Sequence, residues 1–204
     1  MPASKPIVLG ITGGIGCGKS EAAAYLESLG AVHIDADAIS RELTAPGGAA
    51  LGDIRRQFGD EVFNDDGTLN RIRMGAIVFG SEPHRHALEG ILHPMVQAET
   101  LRRLRQAEES GAQVVVLNVP LLFETGMDVL CDETWTLTTD PETQLVRVMA
   151  RGFSEEEARA RIASQMKPDE RAERAKRVIR TDRPMEKTRQ ELSALYQQLL
   201  KKRA

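Results

Sequence analysis

Cysteine is almost absent from this chain. Cys17 and Cys131 are the only two in 204 residues, and Cys17 lies inside a glycine-rich loop. A structural disulfide is therefore not expected, and the chain reads as cytoplasmic. Long apolar runs are missing too, since none approaches the ~20 residues a membrane span requires. Met1 to Lys5 is too short and polar for a signal peptide. Positive charge is not in excess: the net charge of −3 argues against a surface built for nucleic acid. Neither internal repeats nor low-complexity stretches occur. With 41% apolar and 28% charged residues, the composition is that of an ordinary globular protein and not of a disordered one. The length suits one domain, with room for an inserted subdomain and a substantial core.

What the chain does have is concentrated near its start. The apolar run Ile7 to Ile11 leads into Gly13-Gly14-Ile15-Gly16-Cys17-Gly18-Lys19-Ser20, and the helix-forming stretch Glu21 to Leu29 follows. Strand, glycine loop and helix in that order are the setting in which G-x-x-x-x-G-K-[ST] binds phosphate. A polyphosphate needs several backbone N–H donors aimed at one spot, so the loop must curl tightly. Glycine permits positive φ and leaves room for phosphate oxygens where a Cβ would stand. The helix start adds N–H groups and a positive dipole end. Lys19 can reach the β- and γ-phosphates, and the Ser20 hydroxyl can bind Mg²⁺. A nucleoside triphosphate is the expected ligand. GTP-dependent switches also carry Asp-x-x-Gly and Asn-Lys-x-Asp segments, and neither string occurs here.

After the loop, Ala31-Val-His-Ile34 reads as a short strand ending in Asp35-Ala36-Asp37. Asp37 suits an N-cap. It also stands where ligands bind in open α/β sheets, at the carboxyl end of a strand. Two carboxylates there could orient an acceptor hydroxyl or hold magnesium. Residues 47–110 read as helical: Ala49 to Phe58, then a turn at Asp65-Asp66-Gly67, then Asn70 to Phe79. A further helix starts at Glu82-Pro83, and Pro94 predicts a kink or break at His93. His93 either contacts substrate or merely ends a helix.

The sheet resumes with Gln113 to Val119, an unbroken apolar run suited to a buried parallel strand. Glu124 follows at its carboxyl end, either facing the site or paired with a surface cation. Glu133 to Thr138 is another strand, and Asp140-Pro141 starts a helix carrying Gln144, Arg147 and Arg151 on one face. Ser154 caps the next helix, expected to run to Gln165 and Met166. For Arg147 and Arg151 phosphate binding is the expected role, because the guanidinium fork matches two phosphate oxygens. Arg159, Arg161, Arg171, Arg174 and Arg177 read as a solvated face laced with Glu–Arg contacts. Arg177 to Arg180 is a weak edge strand. A last helix from Met185 to Leu200 buries Leu192, Leu195, Tyr196 and Leu199, and the terminal Lys-Lys-Arg reads as frayed.

Together these segments resemble one family, dephospho-CoA kinase. The resemblance rests on Gly10 to Ser20, Ile34-Asp-Ala-Asp37, Leu92-His-Pro94, Val119-Pro-Leu-Leu-Phe-Glu124, Gln144-x-x-Arg147-x-x-x-Arg151 and Ser164-Gln165. It implies an α/β fold: a P-loop NTPase-type parallel sheet flanked by helices, with a helical substrate-binding insert and a helical lid. The core would comprise 6–46, 112–150 and 176–204, the CoA-binding subdomain 47–111, and the lid 151–175. The implied reaction moves the γ-phosphoryl group of ATP to the ribose 3′-hydroxyl of dephospho-CoA, with Mg²⁺ held at Ser20. Gly14, Ile15, Gly16, Cys17, Gly18, Lys19, Ser20 and Glu21 would hold the nucleotide. Thr12, Asp37, His93, Arg147 and Arg151 would meet the acceptor. Catalysis would fall to Asp37, the likelier base, with Asp35, Lys19 and Arg147. The implied partner is a small molecule, with neither nucleic acid nor membrane, and the implied state a monomer or weak homo-oligomer. Three positions depart from the family pattern. Glu21 stands where threonine is frequent, Cys17 where serine is common, and Arg180-Thr181 close a segment that often reads Ala-Asp-x-Val-Ile-x-Asn. The alternative acceptors are a nucleoside monophosphate or a shikimate-like alcohol.

Overall fold

The structure, a computed structural model, describes residues 5–203; of the Met1–Lys5 stretch, the first four residues lie outside that range. In chain order, β1 (Ile7–Gly13) enters the glycine loop, and α1 (Lys19–Ser28) and β2 (Val32–Asp35) follow. Four helices come next: α2 (Ala36–Leu43), α3 (Leu51–Phe58), α4 (Arg71–Gly80) and α5 (Glu82–Glu109). The sheet then resumes with β3 (Val114–Asn118) and β4 (Glu133–Thr138). Three further helices, α6 (Pro141–Met149), α7 (Glu155–Ala163) and α8 (Pro168–Arg174), lead to β5 (Arg177–Arg180) and α9 (Met185–Arg203).

Two compact units result. One takes the chain up to Asp35 and everything from Leu104 onward, and the other is Ala36–Arg103. The first is built on a parallel sheet in the order β2-β3-β1-β4-β5. All five residues of β3 are buried, as expected of a strand covered on both faces. Leu9 and Ile11 of β1 pack with Ala23 and Leu26 of α1 and with Leu192, Tyr196 and Leu199 of α9. Each such large side chain contributes roughly 1.5–3 kcal/mol when removed from water. Because β1 is central and parallel, its glycine loop emerges at the carboxyl ends of the strands, where α/β sheets bind ligands. Among the described residues, no helix is long and apolar enough to cross a membrane.

The second unit has its own core of Ala50, Ile54, Phe58, Val62, Phe63 and Met74. Here the chain corrects the reading of Pro94, for α5 runs unbroken from Glu82 to Glu109. Pro94 withholds the N–H that the Gly90 carbonyl would accept, a loss that breaks many helices. Gly90, His93 and Pro94 are exposed, so the freed carbonyl lies on the water side. Leu88, Ile91, Leu92 and Met95 meanwhile hold the opposite face against the core.

Three other expectations shift. Asp37 is not a cap: β2 passes directly into α2, whose first residue is Ala36, and Asp37 lies in the first turn. The helix after Ser154 stops at Ala163, and a separate α8 starts at Pro168. Lys167 must be extended before a proline, and its ψ of 144° ends any continuous helix there. The Lys201-Lys202-Arg203 run is helical, because Lys202 Nζ reaches Glu133 Oε2 at 2.5 Å.

Candidate active site

The loop between β1 and α1 turns on Gly16 and Gly18, at φ 79° and 80°. A side chain there would meet the left-handed penalty that glycine avoids. Gly18 also occupies the N-cap of α1, and no side chain caps that helix. First-turn N–H groups have no intrahelical acceptor, so they and the dipole's positive end favour an anion at this spot. Lys19 folds back over the loop, its Nζ donating to the carbonyls of Gly13 at 2.6 Å and Gly14 at 3.3 Å. Ser20 and Glu21 are exposed in the first turn of α1.

Around the loop stand side chains from distant segments. Gln144 Nε2 on α6 donates to the Ile15 carbonyl at 2.8 Å. Gln165, between α7 and α8, accepts the Ile15 N–H at 2.8 Å. One turn along α6, Arg147 Nη1 donates to Thr181 Oγ1 at 2.9 Å and to the Gly16 carbonyl at 3.3 Å. Its Nη2 donates to the Thr181 carbonyl at 2.7 Å. Thr181 Oγ1 lies 3.2 Å from both the Cys17 and Thr138 carbonyls, so one hydroxyl joins the loop, the end of β4 and Arg147. A cavity of about 240 Å³ opens beside the loop, lined among others by Gly18, Glu21, Tyr25, Arg147, Arg151 and Thr181.

Cys17 and Cys131 are both free thiols. Burial pushes the Cys17 thiol up, against the opposing charges of Lys19, Arg171 and Arg147. It stays protonated, and a buried neutral thiol is a poor nucleophile.

At the end of β2, half-buried Asp35 pairs in register with Asn118 of β3. Asn118 Nδ2 approaches Asp35 Oδ2 at 3.5 Å, and the buried Asn118 Oδ1 has no partner. Thr12 is fully buried and its hydroxyl donates to the Pro120 carbonyl at 3.0 Å. That bond ties β1 to the segment after β3. Arg151 is exposed at the cavity. Asp37 and His93 are exposed side chains of the Ala36–Arg103 unit.

Arg171 corrects the reading of a solvated face. It is 3% exposed, donates from Nη2 to the Met166 carbonyl at 3.0 Å and stands 3.9 Å from Glu124. The short α8 is held to the segment after β3 by Arg174, which stacks over Phe123 and faces Asp128 at 3.7 Å. Arg159 does pair with Glu155 at the surface. Gln165, Thr181 and Arg171 were not expected as site residues. A residue more than a hundred positions from the loop leaves no periodic signal of its approach.

A family model described as dephospho-CoA kinase matches residues 7–187. The chain belongs to the dephospho-CoA kinase family. It is 46% identical to the dephospho-CoA kinase of Symbiobacterium thermophilum over 93% of this chain and 80% of that one. Among solved structures, TT1252 from Thermus thermophilus superposes with a TM-score of 0.82 at 34% identity, covering 96% of this chain and 99% of its own. Dephospho-CoA kinase from Campylobacter jejuni does so at 0.73 and 27%, covering 97% and 98%.

Proposed function

We propose that this chain transfers the γ-phosphoryl group of ATP to the ribose 3′-hydroxyl of dephospho-CoA, giving CoA and ADP in the last step of coenzyme A biosynthesis. The observation that carries this reading is family membership across residues 7–187, joined to a glycine loop that leads into a helix start with no side-chain cap. The triphosphate would lie along Gly14 to Glu21, with the nucleoside in the cavity beside Arg147, Arg151 and Thr181. Lys19 would leave the Gly13 and Gly14 carbonyls for the phosphate oxygens, exchanging neutral acceptors for charged ones.

The acceptor would be held by the helical segment 47–111, with His93 among its contacts, while 151–175 would act as the lid. Asp37 takes the proton from the 3′-hydroxyl as its oxygen bonds to the γ-phosphorus and the bond to the β-phosphate oxygen breaks. Asp35, kept in place beside Asn118, would orient the same hydroxyl. Arg147 donates its fork to the transferring group, whose charge spreads over three oxygens in the transition state. Ser20 fits Mg²⁺, since this hard cation commonly takes few protein oxygens and completes its shell with phosphates and water. Mg²⁺ there would neutralise phosphate charge. The low cysteine content and net charge of −3 support a cytoplasmic chain acting on small molecules, as a monomer or weak homo-oligomer.

A coupled ADP-release assay tests the reading. Dephospho-CoA should turn over far faster than AMP, shikimate or pantetheine. Faster turnover of any of those three, or none with dephospho-CoA, would overturn it. An ATP against GTP titration in the same assay sets the donor.

A further inference from the structure

The Ile15 peptide, at the apex of the phosphate loop, is gripped from both sides by two side-chain amides. The Gln165 oxygen accepts the Ile15 N–H at 2.8 Å, and the Gln144 nitrogen donates to the Ile15 carbonyl at 2.8 Å. A peptide N–H can only donate and a carbonyl can only accept, so the polarity of each amide is dictated by the backbone. Gly14 leaves the space both need: a Cβ there would lie 2.8 Å from Gln144 Nε2 and 3.3 Å from Gln165 Oε1.

These glutamines come from different places. Gln144 sits on α6, buried in the sheet-bearing unit, whereas Gln165 sits in the short link between α7 and α8. That link is held in turn by buried Arg171, which donates to the Met166 carbonyl at 3.0 Å and faces Glu124 at 3.9 Å. A contiguous path therefore runs from Glu124 after β3, through Arg171 and Met166, to Gln165 and the loop.

We infer that Gln165 is a positioning residue for phosphoryl transfer, fixing the Ile15 peptide and making the shape of the phosphate loop depend on the docked α7–α8 segment. Gln144 supplies the opposing half of the clamp and Arg171 sets the position of the link. The inference rests on the kinase reading above. Positioning matters for this chemistry because the donors must already stand where charge develops, and a displacement of about 1 Å can cost ~100-fold.

The opposite polarities of the two amides supply the test. Glutamate retains an acceptor oxygen but, when ionised, donates nothing. Gln165→Glu keeps the bond to Ile15 N–H, while Gln144→Glu sets a carboxylate against the Ile15 carbonyl. Leucine removes either bond at similar size. At position 165, kcat should fall ~10- to 100-fold with leucine and be restored at least in part by glutamate, with KM for dephospho-CoA unchanged. At position 144 the order should reverse, with glutamate no better than leucine.

Amide hydrogen exchange in the nucleotide-free protein gives a readout independent of turnover. The peptide containing Ile15 should exchange about tenfold faster in Gln165→Leu and stay protected in Gln165→Glu. The same order of variants at both positions, or unchanged exchange and kcat in Gln165→Leu, would overturn the inference. A wild-type chain without dephospho-CoA activity would instead overturn the kinase reading, while the exchange experiment would still decide the clamp.

Discussion

At the amino end of β4, Glu133 is 6% exposed and accepts from three donors. Trp135 Nε1 lies at 2.8 Å, Arg177 Nε at 2.9 Å and Lys202 Nζ at 2.5 Å. At the carboxyl ends of the strands, Lys19 lies on the carbonyls of Gly13 and Gly14, and Arg147 lies on Gly16 and Thr181. The same sheet thus treats charge in two ways. One end joins a carboxylate to two cations and ties α9 and β5 to β4. At the other, Lys19 and Arg147 reach backbone carbonyls of the glycine loop and Thr181, and charged phosphate oxygens would be stronger acceptors than those carbonyls.

Four substitutions, with Asp35→Asn as a comparison for the first, probe that division, and the largest effect falls on the acceptor side. Asp37→Asn should reduce kcat by ~10²–10⁴, the usual contribution of a positioned general base. Because α2 begins at Ala36, the change removes no N-cap. A larger loss in Asp35→Asn would move the proton acceptor to that residue, and full activity in Asp37→Asn would deny this position any catalytic part.

Lys19→Ala should lower kcat by at least ~100-fold, as when a strong electrostatic donor is lost. Near-normal turnover would mean that the glycine loop is not where the phosphoryl group is transferred.

Arg147→Lys keeps the charge but not the fork that reaches Thr181 and Gly16 together. Loss of charge-assisted hydrogen bonds should cost about 10- to 100-fold in kcat. If lysine sustains full turnover, Arg147 belongs with the structural charges and the contrast between the ends weakens.

Glu133→Gln should act at the other end and on stability alone. Burial pushes this carboxyl up, but hydrogen bonds from Lys202, Trp135 and Arg177 prevail and hold it at about 2, against an ordinary 4.5. A depressed carboxyl stabilises the fold above its unfolded value and loses that contribution as pH falls. The native chain should therefore lose about 2–3 kcal/mol between pH 4.5 and 2 from this group, and the variant should lack that part of the slope. Near neutral pH the variant should melt about 4–10 °C lower with kcat unchanged. A drop in kcat at unaltered melting temperature would show that the amino end of the sheet also serves the reaction.

Local patterns made much of this legible beforehand. The apolar run of β3, the Asp140-Pro141 start of α6 and the Ser154 cap of α7 all form as their residues dictate. Asp140 accepts from the Thr143 N–H at 2.8 Å, and Ser154 and Glu157 make a reciprocal capping box. The readings that failed were those in which a local rule met a tertiary contact. Pro94 did not break α5 because the water side carries its defect. Arg171 was not solvated because α8 is pressed onto the segment after β3. Lys202 was not frayed because Glu133 receives it.

The sequence by itself determined the phosphate loop, the order of the strands and the family, because each depends on residues close together along the chain. Glycine at positive φ, a strand before it and a helix after it are short-range requirements. Tertiary structure alone decided what surrounds that loop. Ile15 is met by Gln144 and Gln165, Arg147 by Thr181, and Asp35 by Asn118, across separations of 129, 150, 34 and 83 residues. The physical reason is that a hydrogen bond depends on where the packed strands and helices place its two ends, and a single chain's periodicity does not encode which distant side chain arrives.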